Sequence, residues 1–229
     1  MHNKFVQLTF GLRFVLGWLR YFTPKLHYNQ NATDKGVIFH GGFCLPFPVL
    51  ETNRLRLEKL SKEDSSSLFE LFSDKAVVEY YDLEAFTELS QASNLIEFFN
   101  SRFEENSGIR WAIRLKESNK FIGTCGFNTW SPKMKNAIIG YDLLPKYWGK
   151  GFTTEAVHRI VKAAFLSELP CGKLNRIQGD TVPGNSASES VLLKVGFKEE
   201  GLRRESGYWK NQFHDLKCFG LIRSDYSEI

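Results

Sequence analysis

A chain of 229 residues with 42% hydrophobic and 14% aromatic residues can bury a sizeable core, which excludes a disordered segment and implies one main domain with an extension. A net charge of +4, with no long Lys/Arg block, gives no ground for a nucleic-acid binder but suits an anionic small ligand. Cys44, Cys125, Cys171 and Cys218 stand singly without a CxxC pair, so no metal site or disulfide framework is expected, and a reducing cytoplasm is the expected compartment.

Residues 1 to 33 contain no acid and carry Lys4, Arg13, Arg20 and Lys25. Phe5, Leu8, Leu12, Val15, Leu19 and Phe22 recur at helical spacing, while Phe10, Phe14, Trp18 and Tyr21 make the other side apolar too. Arg13 would sit mid-span and argues against a transmembrane helix, and the arginines interrupt what a cleaved signal would need. Two readings stay open: a helix packed on the domain or on a second subunit of a homodimer, and a membrane-surface or targeting segment. A Gly/Pro-containing linker over 36–48 closes this extension, so the expected division is 1–48 and a domain over 49–229.

Leu55 and Leu57 alternate in "NRLRLEKL" as a first strand. Ser61 with Asp64 three residues on forms a capping box that predicts a helix with Leu68, Leu71 and Phe72 inward. "LSQASNLIEFFNSRF" reads as a second helix, and "RWAIRLK", "KFIGTCGFNTW" and "AIIGYDLL" as an antiparallel meander. Beyond Gly149 and Gly151, Ala156, Val157, Ile160, Val161, Ala164 and Phe165 share one helical face. "NRIQGDTV" follows as a strand, so strand, helix and strand predict a crossover with parallel pairing. A short helix from Asn185 or Ser186 to Gly196 and a final hairpin complete the chain.

Glycines at 149 and 151 let backbone N–H groups approach a ligand, and a helix opening behind them adds unpaired donors and a positive dipole end. Gly151 stands where a P-loop needs Ser or Thr, and Thr154 where a dinucleotide fingerprint needs a third glycine, so both of those cradles fail. Composition alone leaves a phosphate cradle and a tight structural turn equally open.

The run "LLPKYWGKGFTTEA" resembles the acetyl-CoA pyrophosphate loop of the GNAT superfamily, with Lys146 in place of the usual Arg or Gln. "LETNRLRLEKLSKED" and "PGNSASESVLLKVGFKEEGLRRESGYWKNQFHDL" resemble the opening and closing parts of the Rim-type, ribosomal-protein N-acetyltransferase-like branch. The resemblance covers about residues 49 to 225. It implies an α+β fold: a mixed, mostly antiparallel sheet with a splayed parallel strand pair and flanking helices. It further implies an enzyme that transfers acetyl from acetyl-CoA directly to a primary amine, such as a protein N-terminus. A small amine is the alternative acceptor.

On the same resemblance, main-chain groups of Leu143 and Leu144 meet the pantetheine amides, with Leu143 also facing the oxyanion. The loop from Trp148 through Gly149, Lys150, Gly151 and Phe152 to Thr153 surrounds the diphosphate. Asn185 reaches the cofactor arm, and Ser188 meets the leaving thiolate. The glutamate base of some Rim-type relatives aligns with Gly207. Glu205, two residues earlier and on the same face of a regular strand, is the substitute, with an ion pair to Arg203 or Arg204 as its other reading. Tyr208, His214 and Asp215 are further alternatives. The missing glutamate and the apolar extension together motivate a third reading, a noncatalytic acyl-CoA-binding, membrane-associated module.

Overall fold

The computed structural model describes residues 46–226, so the readings of residues 1–45 lie outside the described residues. Eight strands form one sheet in the order β1-β2-β3-β4-β5-β6-β8-β7 among the described residues. They are β1 (Leu50–Glu51), β2 (Leu55–Lys59), β3 (Ile109–Leu115), β4 (Phe121–Ser131), β5 (Asn136–Leu143), β6 (Arg176–Thr181), β7 (Lys198–Trp209) and β8 (Gln212–Ile222). All neighbours are antiparallel except β5 and β6. The fold expected from the resemblance is the fold observed.

Helices α1 (Ser65–Ser73), α2 (Lys75–Val78) and α3 (Leu89–Glu104) precede β3. The capping box at Ser61 is present, with Asp64 Oδ2 accepting the Ser61 N–H at 2.9 Å. It opens a single 3₁₀ turn, and α1 follows from Ser65. Asp64 Oδ1 also accepts from Arg114 Nη2 at 2.6 Å, fastening the helix start to β3. Leu68, Leu71 and Phe72 are fully buried with Ala92, Ile96, Ala112, Phe121 and Leu144, so α1 and α3 cover one face of the sheet.

The opposite face carries α4 (Phe152–Phe165), whose Ala156, Val157, Ile160, Val161, Ala164 and Phe165 join the core with Trp111, Ile113, Cys125 and Ile139. Helix α5 (Ser186–Val195) packs beside it on β6 and ends at Gly196. The final hairpin turns at Lys210 and Asn211, whose φ of 50° and 60° suit a two-residue turn matched to strand twist.

The crossover through α4 gives the expected parallel pairing, but it lasts only from Asn136–Arg176 to Ile138–Gln178, three pairs in all. Beyond Ile138, β5 continues on β4 alone, and beyond Gln178, β6 continues on β8 alone. The sheet therefore opens between the C-terminal halves of its two parallel strands. Among the described residues no helix is long and apolar enough to cross a membrane.

Candidate active site

The register of β4 and β5 decides which main-chain groups face the opening. Leu144 N–H donates to Ile122 O at 2.9 Å, and hydrogen-bonded and non-bonded positions alternate along an antiparallel pair. Leu143, opposite Gly123, is therefore a non-bonded position whose N–H and C=O point away from β4 into the gap. Its carbonyl accepts from Trp148 Nε1 at 2.7 Å, which ties the glycine turn to the strand end. Leu144 departs from its expected role: its N–H is held by Ile122 and its carbonyl accepts from Tyr147 N–H at 2.9 Å.

Both glycines of the turn lie in the left-handed region, with φ of 72° at Gly149 and 77° at Gly151, where a Cβ is strained. A Cβ at Gly149 would meet nothing within 4 Å, and at Gly151 its nearest neighbour would be Arg54 Nη2 at 3.6 Å. The turn thus bounds open space on its outer side. Gly151 is the N-cap of α4 without a side-chain cap, and the first helical bond joins Glu155 N–H to Gly151 O at 3.0 Å. Among the described residues, the amides of Gly149, Lys150, Gly151, Phe152, Thr153 and Thr154 donate to no main-chain oxygen. Six donors at the positive end of a 14-residue helix suit an anion. The expected range starts one residue too early, because Trp148 N–H is bonded to Pro145 O at 3.0 Å.

A brace that the sequence reading missed holds this turn. Arg54, beside β2, donates through Nη1 to Lys150 O at 3.1 Å and through Nε to Glu155 Oε2 at 2.7 Å. Its guanidinium lies 4.4 Å from the centroid of the Phe152 ring. Glu155 Oε1 also accepts from Thr52 Oγ1 at 2.5 Å and Arg54 N–H at 3.0 Å. Burial acts to raise the Glu155 pKa, but these bonds prevail and hold it below the ordinary glutamate value. Lys146 turns to Glu70 at 2.7 Å, and Lys150 Nζ sits 5.5 Å from the Tyr147 ring centroid.

On the far side of the opening, Asn185 Oδ1 caps α5 by accepting from Ser188 N–H at 3.2 Å. Ser188 Oγ, relieved of capping, interacts with the Tyr141 hydroxyl. Tyr141 Oη on β5 donates to Ser188 O at 3.0 Å and so joins the two sides of the gap. Burial drives the Tyr141 pKa up, so the hydroxyl keeps its proton.

The regular strand that would align Glu205 with Gly207 is absent. The β7–β8 register shifts between Arg203 and Gly207, and Glu205 lies in that bulge with φ 48° and an exposed side chain. Asp215 Oδ1 accepts its N–H at 2.7 Å, while Arg203 pairs with Asp180 instead. At Gly207 a Cβ would fall inside the Trp209 ring, which stacks on His214 at 4.0 Å between centroids. Cys125 is fully buried and its thiol is pushed up to about 12 by that burial, which removes it as a nucleophile. Among the described residues no group of three or more His, Cys, Asp or Glu could hold a metal ion.

A buried polar row on the α1–α3 face was also missed. Asp142, next to Leu143, accepts from Thr124 Oγ1 at 3.0 Å and Tyr81 Oη at 3.3 Å. Arg110 on β3 approaches Asp142 to 3.8 Å and donates to Asn128 Oδ1 at 2.9 Å. The available signal was the acid in "IIGYDLL", an otherwise buried run.

The sheet thus parts at its single parallel pair among the described residues, with a donor-lined glycine turn at the open end. Residues 54–198 match the acetyltransferase (GNAT) domain model. The chain is 35% identical to the uncharacterized N-acetyltransferase YoaA of Bacillus subtilis (strain 168), over 77% of this chain and 98% of that one. It is 37% identical to the uncharacterized N-acetyltransferase p20 of Bacillus licheniformis, over 78% and 98%. Among solved structures it is similar to the RimL ribosomal L7/L12 alpha-N-protein acetyltransferase in complex with coenzyme A. That likeness has a TM-score of 0.69 and 20% identity, over 76% of this chain and 98% of that one. Microcin C7 self immunity acetyltransferase MccE, in complex with acetyl-CoA and AMP, gives a TM-score of 0.68 at 21% identity, over 75% and 93%. The chain belongs to the GNAT acetyltransferase domain family and is an N-acetyltransferase of that type.

Proposed function

We propose that this protein transfers the acetyl group of acetyl-CoA directly to a primary amine that enters from the α1–α3 face of the opening. The observation that carries the reading is the coincidence of six free amides at Gly149 to Thr154 with the Leu143 N–H, all at the open end of the parted strands. The amides would hold the diphosphate, and Asn185 would meet the cofactor arm from the far side. Acetyl-CoA supplies an activated thioester. The Leu143 N–H would receive the negative charge that develops on its carbonyl oxygen, and a preorganised donor of that kind is worth on the order of 3 kcal/mol. Ser188 Oγ would donate to the departing sulfur. With Cys125 buried in the core, direct transfer needs no covalent enzyme intermediate. The free Cys125, Cys171 and Cys218 accord with a reducing cytoplasm.

Two contacts favour a compact acceptor. Tyr80, just past α2, reaches Gly184 O in the loop after β6 at 3.4 Å. Lys210 Nζ at the hairpin tip reaches Val78 O at 2.6 Å. These narrow the approach from the α1–α3 face and suit a small amine. A protein N-terminus is the second reading, favoured by similarity to the Escherichia coli ribosomal-protein-serine acetyltransferase at 24% identity. Release of thiol from acetyl-CoA, measured with putrescine, ethanolamine and a tetrapeptide bearing a free serine N-terminus, tests the proposal. Acetyl-CoA binding without turnover of any amine would overturn it.

A further inference from the structure

Thr181 ends β6 as a buried residue, 4% exposed, and its Oγ1 has no hydrogen-bond partner among the described residues. An interior hydroxyl ordinarily donates to a carbonyl or a side chain, and an unmet one costs stability. The unmet nitrogens of Arg102, Arg110, Arg159 and Arg223 belong to guanidiniums that each bond elsewhere, whereas Thr181 has only the one polar group.

The fold decides where that hydroxyl lies. Strand β6 stays in unbroken register with β8 as far as Thr181–Lys217, so its side chains alternate to the end and Thr181 shares a face with Ile177 and Gly179. That face meets α5, because a Cβ on Gly179 would lie 2.8 Å from Leu192 Cδ2. The last parallel pair joins Ile138 to Gln178, and three residues further along each strand stand Tyr141 and Thr181. Continued across the opening, the register makes these two counterparts on its opposite walls, both on the face that carries α4 and α5. Tyr141 is also one side-chain period before Leu143, whose N–H faces the gap. The other hydroxyls here are engaged: Tyr141 Oη donates to Ser188 O at 3.0 Å, and Ser188 Oγ meets the Tyr141 hydroxyl. Ser188 must exchange one contact for another to reach a ligand in the opening, while Thr181 gives up none.

We propose that Thr181 Oγ1 donates a hydrogen bond to the sulfur of the acyl carrier from the β6 wall of the opening. The inference rests on the acetyl-transfer reading above and adds a second donor toward the leaving group. In the transfer, the lone pair of the amine nitrogen forms the C–N bond at the acetyl carbon, and the C–S bond breaks with its electron pair on sulfur. The proton that the nitrogen loses ends on the coenzyme A thiol, and the Thr181 hydroxyl keeps its own. A hydroxyl fixed in place strengthens its bond as negative charge grows on sulfur, so it acts on the transition state more than on binding.

Three variants test the assignment with putrescine and the serine tetrapeptide as acceptors. Thr181→Val keeps the outline of the side chain and removes the donor. Its kcat is expected to fall about tenfold, the loss of one transition-state hydrogen bond, with acetyl-CoA affinity by calorimetry within about twofold. Its melting temperature should stay level or rise, because the hydroxyl has no protein partner to lose. Thr181→Ser should restore kcat. Thr181→Cys gives a readout independent of turnover: incubated with coenzyme A disulfide, the new thiol should displace one coenzyme A and keep the other as a mixed disulfide. Mass spectrometry would show one added coenzyme A, well beyond any gain by the wild type, whose own cysteines are the control. A cysteine variant that gains no more than the wild type, a valine variant with wild-type kcat, or one with a lowered melting temperature overturns the contact of Thr181 with sulfur. Coupling in Thr181→Cys without wild-type turnover of either amine supports that contact and overturns the acetyl-transfer reading.

Discussion

Trp209 occupies the volume that any side chain at Gly207 would need, and its ring is pinned there by stacking on His214 with an interplanar angle of 9°. The departure from the Rim-type pattern at Gly207 is thus coupled to a tryptophan two residues on. Gly207→Glu should not restore a base. It should force Trp209 out of its stack and destabilise the hairpin by about 1–3 kcal/mol, the usual cost of overpacking a filled site. Urea unfolding of the variant checks this. A gain in turnover at unchanged stability would show that Trp209 can give way.

The glycine turn carries two separable costs of substitution. At φ of 72° and 77° a Cβ is disfavoured by about 1–2 kcal/mol whatever surrounds it. Because a Cβ at Gly149 meets nothing within 4 Å, Gly149→Ala should fold with only that strain. Gly149→Val should add branched methyl groups on the outer side, where the diphosphate is proposed to lie, and weaken acetyl-CoA at least tenfold. Calorimetric titration of both variants, beside their melting curves, separates strain from blocking. Equal affinity for the valine variant and the wild type would remove the turn from the cofactor site.

The sequence made the fold legible wherever a local rule governed it. Alternation placed β2, the period of α4 put Ala156 to Phe165 on one buried face, and the Ser61–Asp64 box preceded α1. Gly149 and Gly151 were legible as a tight turn opening a helix, while the residues assigned to the cofactor there came from the GNAT resemblance. What stayed hidden depends on contacts between residues far apart in the chain. Thr52 and Arg54 meet Glu155 across about a hundred residues, and Tyr81 meets Asp142 across 61. Glu205 failed for a related reason: period-two reasoning assumes a regular strand, and a bulge held by Asp215 breaks the period. Leu144 and Trp148 failed because their amides belong to a ladder and a turn whose register no single residue announces.

Asn185 supplies the cap of α5 and so leaves Ser188 Oγ for the role proposed for it toward sulfur. Because Asn185 supplies the cap, Ser188→Ala removes a hydroxyl that meets Tyr141 and leaves the cap intact. The expected result is a fall in kcat of about tenfold, roughly one hydrogen bond in the transition state, with acetyl-CoA affinity and melting temperature unchanged. Asn185→Ala should instead cost about 1 kcal/mol of stability through loss of the cap. A single-turnover assay on Ser188→Ala that matches the wild-type rate would strip the serine of its role toward sulfur.

Glu155 links stability to pH through the brace on the glycine turn. Its carboxylate accepts from Thr52 Oγ1, Arg54 N–H and the Arg54 guanidinium, and together these hold its folded pKa below the ordinary value. A depressed folded pKa gives stability that is complete above the unfolded value, about 4.3 for glutamate, and is lost as pH falls through the folded one. Glu155→Gln should therefore be less stable than the wild type by a constant amount between pH 8 and 5, about 1 kcal/mol because Arg54 is half exposed. Below pH 4 the two unfolding free energies should converge. The glutamine should also release Arg54 from its pair while Lys150 O keeps one of its bonds, loosening the turn and weakening acetyl-CoA a few-fold at pH 7. Chemical unfolding at a series of pH values gives the first result and calorimetry the second. A stability difference that persists unchanged to pH 3 would mean that the carboxylate's charge plays no part in holding the turn.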